Sequence, residues 1–496
     1  MNRSSIIFFC IYFFTCLLSQ NNQDARMLGL SGSYTTLSKG YQSIGINPAN
    51  LAVYNEKSLN ILNLALRFNN NGLSISNYNS INGANLEDST SFTYLPKLVF
   101  YDIFGGEGIR FKQNLFLPIP LLNFSTKRFA FTSSLASDID IGIPNGFLDF
   151  LLFGTQIGNS ISIYIDQESI ITQNVGVSYG QKFDDLYIGF TVKYILGLFY
   201  MGMETVDNPF LSVDITGLNA KNQYLIKQAI GGGGIGFDVG FSTKVNKNGY
   251  RFAMSIINLL GTVEWTQDHF MRSSLENTLK NSAGDFYLRP NEFMYINMVV
   301  DSLTGGSFSQ KGGDPLIYYE RYKVIPVESL TDLELSEQEL RLVVKLADST
   351  YYIPSGGEYK ITDVLGEGDN DFKLSDNYKN QGGKNSFITR KPMFIRLGLS
   401  KIWEDEIILA GDLITGFSDS YGSSSKWRVS IGAEILRFKG NILRFGYSYG
   451  GITDKSLSLG YGKQIGALNI DLGLAINGGF SLSTAKGFDF AIGIGL

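Results

Sequence analysis

The chain has 496 residues, a formal charge of −5 and 18% charged side chains, without the basic excess that a nucleic-acid partner demands. Its 2 cysteines, Cys10 and Cys16, lie in the N-terminal apolar run and its 1 histidine is His269, which excludes disulfides, thiolate metal sites, cysteine nucleophiles and multi-histidine metal centres from the rest. Beyond that run no stretch stays apolar for roughly 18 residues, so helical membrane spans are excluded too.

The chain opens with Arg3, an apolar run from Ile6 to Leu18, then Ser19 and Gln20. A positive residue, about a dozen apolar residues and small or polar residues beyond them describe a secretory signal peptide over 1–20. A membrane anchor is the alternative, but the run is shorter than the roughly 20 apolar residues a spanning helix needs. Cys16 follows Phe13-Phe14-Thr15 and not the small residues that precede a lipidated cysteine.

The segment 21–52 includes ARMLGLSGSYTTLSKGYQSIGINPANLA, rich in Gly and Ser, with Asn47-Pro48-Ala49 near its end. Asn-Pro favours a turn and biases the residue before proline away from helix. A compact segment outside the strands is expected here, with Asn47, Pro48 and Ala49 either fixing it against a wall or lining a ligand path.

Strands are then predicted across 53–266, at Leu59–Phe68, Lys97–Phe104, Lys112–Pro118, Arg128–Ser137, Asn174–Tyr179, Leu186–Leu196, Ile235–Ser242 and Tyr250–Ile256. Alternation is clearest where Leu186, Ile188, Phe190, Val192 and Tyr194 oppose Tyr187, Gly189, Thr191 and Lys193. Pro144–Gly154, PNGFLDFLLFG, reads instead as a short apolar helix.

The alternation lapses over 267–391. Thr331 followed by Glu334 forms a capping-box pattern, with Leu333, Leu340, Val344 and Leu346 roughly on one helical face. A partly helical insertion is expected, as a plug, a long loop or a small subdomain.

Strands return over 392–496, at Ile395–Leu399, Ile407–Leu413, Trp427–Ile435, Leu443–Tyr449, Leu457–Tyr461, Leu468–Ile476 and Phe488–Leu496. The short turns between them predict up-and-down antiparallel connection. The fold class is therefore all-β: an antiparallel transmembrane β-barrel of about 14 strands, since roughly 9–11 residues suffice for a tilted strand to cross a bilayer.

One face of these strands is apolar. The other carries Gly, Ser, Ala and Asn with scattered charges: Lys193, Asp238, Arg251, Arg396, Asp412, Arg428, Glu434, Arg444, Asp471 and Asp489. Small residues and opposite charges suit a confined lumen, where an unpaired charge is costly. A soluble sandwich also alternates, but its wet face would be denser in Lys, Glu and Thr.

No catalytic or metal site and no cofactor is predicted. Gly231–Gly236 contains a GxGxxG spacing, but a strand follows where a dinucleotide site needs a helix. Asp138 and Asp140 share a strand face, where an acid/base pair is conceivable and a solvated strand end is the plainer reading; Asp184 and Asp185 form a second pair. Asp332, Glu334, Glu337 and Glu339 read as a wet helix face or a calcium loop. His269 and Ser273 lack the orienting third group that nucleophilic catalysis needs.

Ala25–Ala52, with Asn47-Pro48-Ala49, resembles the N-terminal segment of FadL-type long-chain fatty acid transporters and of PorV-type proteins of type IX secretion. GGGGIGFDVGF at Gly231–Phe241, FAMSIINLLGTVEW at Phe252–Trp265 and the C-terminal hairpins resemble strands of the same superfamily. The insertion has no counterpart in that layout, and Leu496 stands where an aromatic residue is more usual. The resemblance implies a 14-stranded barrel plugged by its N-terminal residues, exported to the outer membrane of a Gram-negative-type bacterium. Binding or transport of hydrophobic, long-chain fatty-acid-like small molecules follows as the expected function. A secretion or surface-assembly component that binds secreted proteins is the alternative, and a soluble secreted structural β-protein a third. The expected partners are outer-membrane lipid, the barrel-assembly machinery, and a hydrophobic ligand or a secreted protein.

Overall fold

The computed structural model describes residues 24–104, 108–154, 157–205, 208–214, 217–266, 386–404, 406–417 and 424–496, together with 269, 270, 277, 281, 288, 293–300, 317–327, 344, 345 and 351–354. The expected signal peptide over 1–20, the expected capping box at Thr331, the acidic run Asp332–Glu339 and Ser273 lie outside the described residues.

Alternating sequence becomes strand wherever turn residues interrupt it, and the strands close on themselves. In chain order they are β1 (Lys57–Asn70), β2 (Ile109–Pro118), β3 (Phe129–Ile143), β4 (Asp166–Phe183), β5 (Leu186–Thr205), β6 (Gly217–Thr243) and β7 (Tyr250–Leu259). There follow β8 (Phe394–Trp403), β9 (Ile407–Gly416), β10 (Arg428–Ile435), β11 (Asn441–Gly450), β12 (Lys455–Ile465), β13 (Leu468–Asn477) and β14 (Gly487–Gly495). Each pairs antiparallel with the next, and β14 returns to β1 in a register that sets Phe488 opposite Phe68 and Ile494 opposite Leu62. The ring of 14 strands leaves no free edge, as a wall in hydrocarbon requires.

The two faces differ as the alternation predicts. On neighbouring positions of β12–β14, Leu459 is 54% and Leu474 57% exposed, whereas Ser458 and Asp489 are each 1% exposed. Among the described residues no helix is long and apolar enough to cross a membrane; the strands make the wall.

The two ends of the ring also differ. Where β1 begins and β14 ends, connections are tight, as at Asp184-Asp185 and Gly466-Ala467. The opposite end carries the long connections, including α3 (Ile75–Ile81), α4 (Lys97–Ile103) and α5 (Asn145–Phe153), while α1 (Ala25–Gly29) and α2 (Asn50–Tyr54) precede the ring. Short turns mark the periplasmic end of such barrels and long loops the outer end.

Three expectations are corrected. Val344, expected on a helical face, lies in a short strand, Val344–Lys345, that pairs with Tyr351 and Tyr352. Lys97–Phe104, expected as a strand, is helical because Pro96 precedes it: its fixed φ of −55° suits a helix entry and it has no N–H to donate to a ladder. The stretch 267–391, expected to lack strands, contributes Phe293–Val300, which pairs with Ala220–Lys227 of β6, and Ile317–Val327, which pairs with Phe293–Val300. Ser386–Arg390 pairs with Thr262–Thr266. β6 is 27 residues long, about 90 Å at ~3.3 Å per residue, so its outer half stands clear of any bilayer and templates these strands. The predicted helix at Pro144–Gly154 is observed as α5.

Candidate functional site

Residues 24–54 lie inside the ring, most of them buried. α1 is short, and its start is fixed by Asp24, whose carboxylate accepts from Met27 N at 2.8 Å. Burial pushes the Asp24 carboxyl up to about 6 from its ordinary value. The segment approaches the wall so closely because the wall is glycine there. A Cβ on Gly432 would come within 2.9 Å of Leu30 O, and one on Gly460 within 2.9 Å of Gly29 Cα.

Asn47-Pro48-Ala49 rests on a second such place. Gly189 and Gly240 oppose one another on β5 and β6; a Cβ on Gly189 would stand 2.2 Å from the Pro48 carbonyl carbon, and one on Gly240 2.0 Å from Asn47 Oδ1. Asn47 Nδ2 donates to Phe241 O at 3.1 Å and to Thr35 O at 3.3 Å, while its Oδ1 accepts from Ala49 N at 3.2 Å. The tripeptide is thus a turn bonded both to its own segment and to the wall.

The charges of the inward face gather around this segment. Glu434 on β10 accepts from Arg26 (3.0 and 2.7 Å) and from Arg444 Nε on β11 (2.8 Å), and Arg444 also donates to Asp471 on β13 at 2.6 Å. Asp412 on β9 accepts from the Tyr34 and Thr35 amides at 3.0 and 2.9 Å and pairs with Arg396 on β8 at 3.4 Å. Arg428 donates to Ser31 O at 3.0 Å, and Arg251 to the Tyr54 hydroxyl at 2.8 Å. Lys193 with Asp238 (2.6 Å) and Asp489 with Arg67 (2.6 Å) join neighbouring strands.

Three participants went unremarked in the sequence, and a fourth was placed wrongly. Arg26 appeared only as part of a motif. Arg67 shares the inward face of β1 between apolar Leu66 and Phe68, so period two could have found it. Lys391 was hidden in the insertion. Asp138 was expected at a solvated strand end; it is 5% exposed and accepts from Asn114 Nδ2 at 3.1 Å, because β3 continues past it to Ile143. Asp140 pairs instead with Arg110 at 2.6 Å.

A cavity of about 110 Å³ remains beside the segment, lined by Tyr41, Phe116, Asp138, Lys193, Asp238 and Lys391 among others. Lys391 donates to Thr172 Oγ1 at 2.7 Å, and burial pulls its ammonium down to about 8 against the opposing pull of Asp138. The cavity abuts an interruption in the wall. β2 ends at Pro118, and β1 pairs lower down with Phe124–Thr126 instead. Between them Asn123 Nδ2 donates to Ile119 O at 2.7 Å and Ser133 O at 2.8 Å, and Asn123 Oδ1 accepts from Ser133 N at 3.0 Å. Pro118 and Pro120 supply no N–H here. A wider recess of about 500 Å³ opens at the periplasmic end, lined by Arg26, Lys39, Glu56, Arg251, Glu434 and Asp471 among others.

At the outer end α4 and α5 pack together, with the Tyr101 and Phe153 rings 5.8 Å apart and Asn145 Nδ2 donating to the Tyr101 hydroxyl at 2.5 Å. Their outer surfaces are apolar: Leu98 is 66%, Val99 46% and Leu151 61% exposed. Among the described residues no group of His, Cys, Asp and Glu could hold a metal ion.

Several solved structures are similar to this chain. The toluene transporter TbuX of Ralstonia pickettii is 12% identical, with 97% of this chain and 99% of that chain covered and a TM-score of 0.45. For the Pseudomonas putida toluene transporter TodX the values are 11%, 97%, 98% and 0.43, and for a Pseudomonas aeruginosa FadL homologue 12%, 95%, 98% and 0.43. No family model and no curated protein matches the chain.

Proposed function

We propose that this chain is an outer-membrane barrel that captures small hydrophobic molecules at its outer end and passes them inward. The observation that carries the proposal is the apolar surface of α4 and α5, where Leu98, Val99 and Leu151 face outward beside the barrel mouth. Exposed apolar clusters of this kind mark binding sites or membrane contacts. A long-chain, fatty-acid-like ligand suits it, with chain on the helices and polar end free.

The lumen sets a condition on passage. The cavity of about 110 Å³ is smaller than the ~150 Å³ that accommodates benzene. Transport therefore needs residues 21–52 to act as a plug that shifts, with Asn47-Pro48-Ala49 as its fixed point. The signal peptide over 1–20 would deliver the chain to the envelope, and the assembly machinery would insert it. Titration of the purified barrel with a fluorescent fatty acid and with toluene tests the proposal. Binding weakened by Leu98→Glu with Leu151→Glu supports it; identical binding by that variant overturns it.

A second reading rests on β6. Its outer half carries extra strands away from the membrane, a platform suited to holding a secreted protein. A protein that co-purifies with the full chain and is lost on deleting 293–327 would favour this reading.

A further inference from the structure

We propose that the outer wall holds a phospholipid of the periplasmic leaflet in a hollow spanning β8 to β12. Outward side chains here form two rows across the strands. One row runs Leu399, Gly411, Ile431, Tyr447 and Leu457; the other runs Lys401, Leu409, Ala433, Phe445 and Leu459. Gly411 and Ala433 stand on a diagonal between large apolar neighbours, and the wall sinks there into a hollow of about 630 Å³. That lies within the ~300–1,000 Å³ of built small-molecule sites.

Packing does not impose the glycine. A Cβ at Gly411 would meet its nearest atoms at 3.6 and 4.0 Å, ordinary contact distances, and Gly411 is not among the positive-φ glycines. An alanine or leucine would fit and would fill the hollow, so the missing side chain leaves room for something else. In a bilayer that something is an acyl chain.

The lower rim supplies the polar end. Lys401 lines the hollow, with its ammonium 5.0 Å from the Tyr250 ring centre and 5.1 Å from that of Trp403. Two rings holding a cation at the edge of an apolar groove fix it at the depth of lipid headgroups. The rim lies toward the tight turns, hence in the periplasmic leaflet. Among the described residues Lys401 enters no ion pair, so the complementary charge is a lipid phosphate. Chains in the hollow and phosphate on Lys401 describe a glycerophospholipid rather than a neutral hydrocarbon, which would offer the ammonium no charge.

Trp403 reports on the site directly. The chain has 3 tryptophans: Trp265 is fully buried, while Trp403 and Trp427 are exposed. Trp427 sits at the outer end of β10 and serves as the control. The protein is reconstituted in phosphatidylcholine vesicles containing a minor fraction of chain-brominated phosphatidylglycerol. Quenching of Trp403, read in Trp427→Phe, is expected to exceed that of Trp427, read in Trp403→Phe. Gly411→Leu with Ala433→Leu should remove more than half of the excess while heat-modifiable gel migration stays intact. Lys401→Gln, which leaves the hollow open, should remove the excess only for phosphatidylglycerol against equally brominated phosphatidylcholine. Unchanged quenching in the filled variant overturns the proposal. So does a dimer, seen by sedimentation, that the filled variant abolishes, since a second copy would then occupy the hollow.

Discussion

Arg26 and Glu434, 408 positions apart in the chain, meet through two hydrogen bonds of 3.0 and 2.7 Å. Glu434 is 1% exposed and Arg26 11% by side chain, so the pair is shielded from solvent. The contact ties the N-terminal segment to the wall at the point where Arg444 and Asp471 extend the network.

Removing the carboxylate should free the segment without opening the ring. Glu434→Gln leaves Arg26 and Arg444 facing each other, and breaking a buried pair costs about 3–5 kcal/mol. Proteolysis between residues 25 and 54 should accelerate in the variant, while the barrel keeps its heat-modifiable migration. Equal cleavage rates would count against the tether.

The glycine seat under Asn47-Pro48-Ala49 admits a separate test. Gly189→Val places carbon where the Pro48 carbonyl now stands, and the wall strand gives way less readily than the segment. Hydrogen exchange should rise across residues 40–54 and stay unchanged along β5. Protection lost on β5 would mean that the strand had moved instead.

Asn123 closes the interruption in the wall with three hydrogen bonds to Ile119 and Ser133. Asn123→Ala should cost about 1 kcal/mol per bond, somewhat more for the carbonyls left without a donor. The denaturation midpoint should fall accordingly, and exchange should increase locally at residues 119–124.

Lys391 gives the barrel a pH signature. Burial lowers its ammonium to about 8, below its value in an unfolded chain, near 10.4. A base depressed on folding contributes stability above the unfolded value, and that contribution is lost as pH falls through about 8. Stability should therefore rise between about pH 8 and about 10, and Lys391→Met should flatten the rise. A slope unchanged in that variant would assign the titration to another group.

Most of the wall was legible because period two survives wherever one face meets lipid and the other a packed lumen. β8 to β14 all lie where the pattern put them, although β8 and β12 run about twice as long as the expected Ile395–Leu399 and Leu457–Tyr461. At Lys97 the apolar run was real, but Pro96 turned it into helix, a local effect that hydrophobicity alone does not register. In Phe293–Val300 and Ile317–Val327 the reverse happened. These segments pair above the membrane, where no lipid sorts their faces, so their sequence lacks alternation. The inward charges were legible as a set and their partners were not, since Arg26 and Glu434 are neighbours only once the ring is formed.

The N-terminal segment sits within a closed wall whose first and last strands are zipped from Asn60 and Gly495 to Asn69 and Gly487. The seats that receive residues 24–54, at Gly189, Gly240, Gly432 and Gly460, lie on the inner face of that wall. Strands that curl around the segment before the seam closes would meet it at those seats as they wind. It is then less an insert than a mandrel: a form around which the sheet is wound, and which sets the curvature at which β14 finds β1.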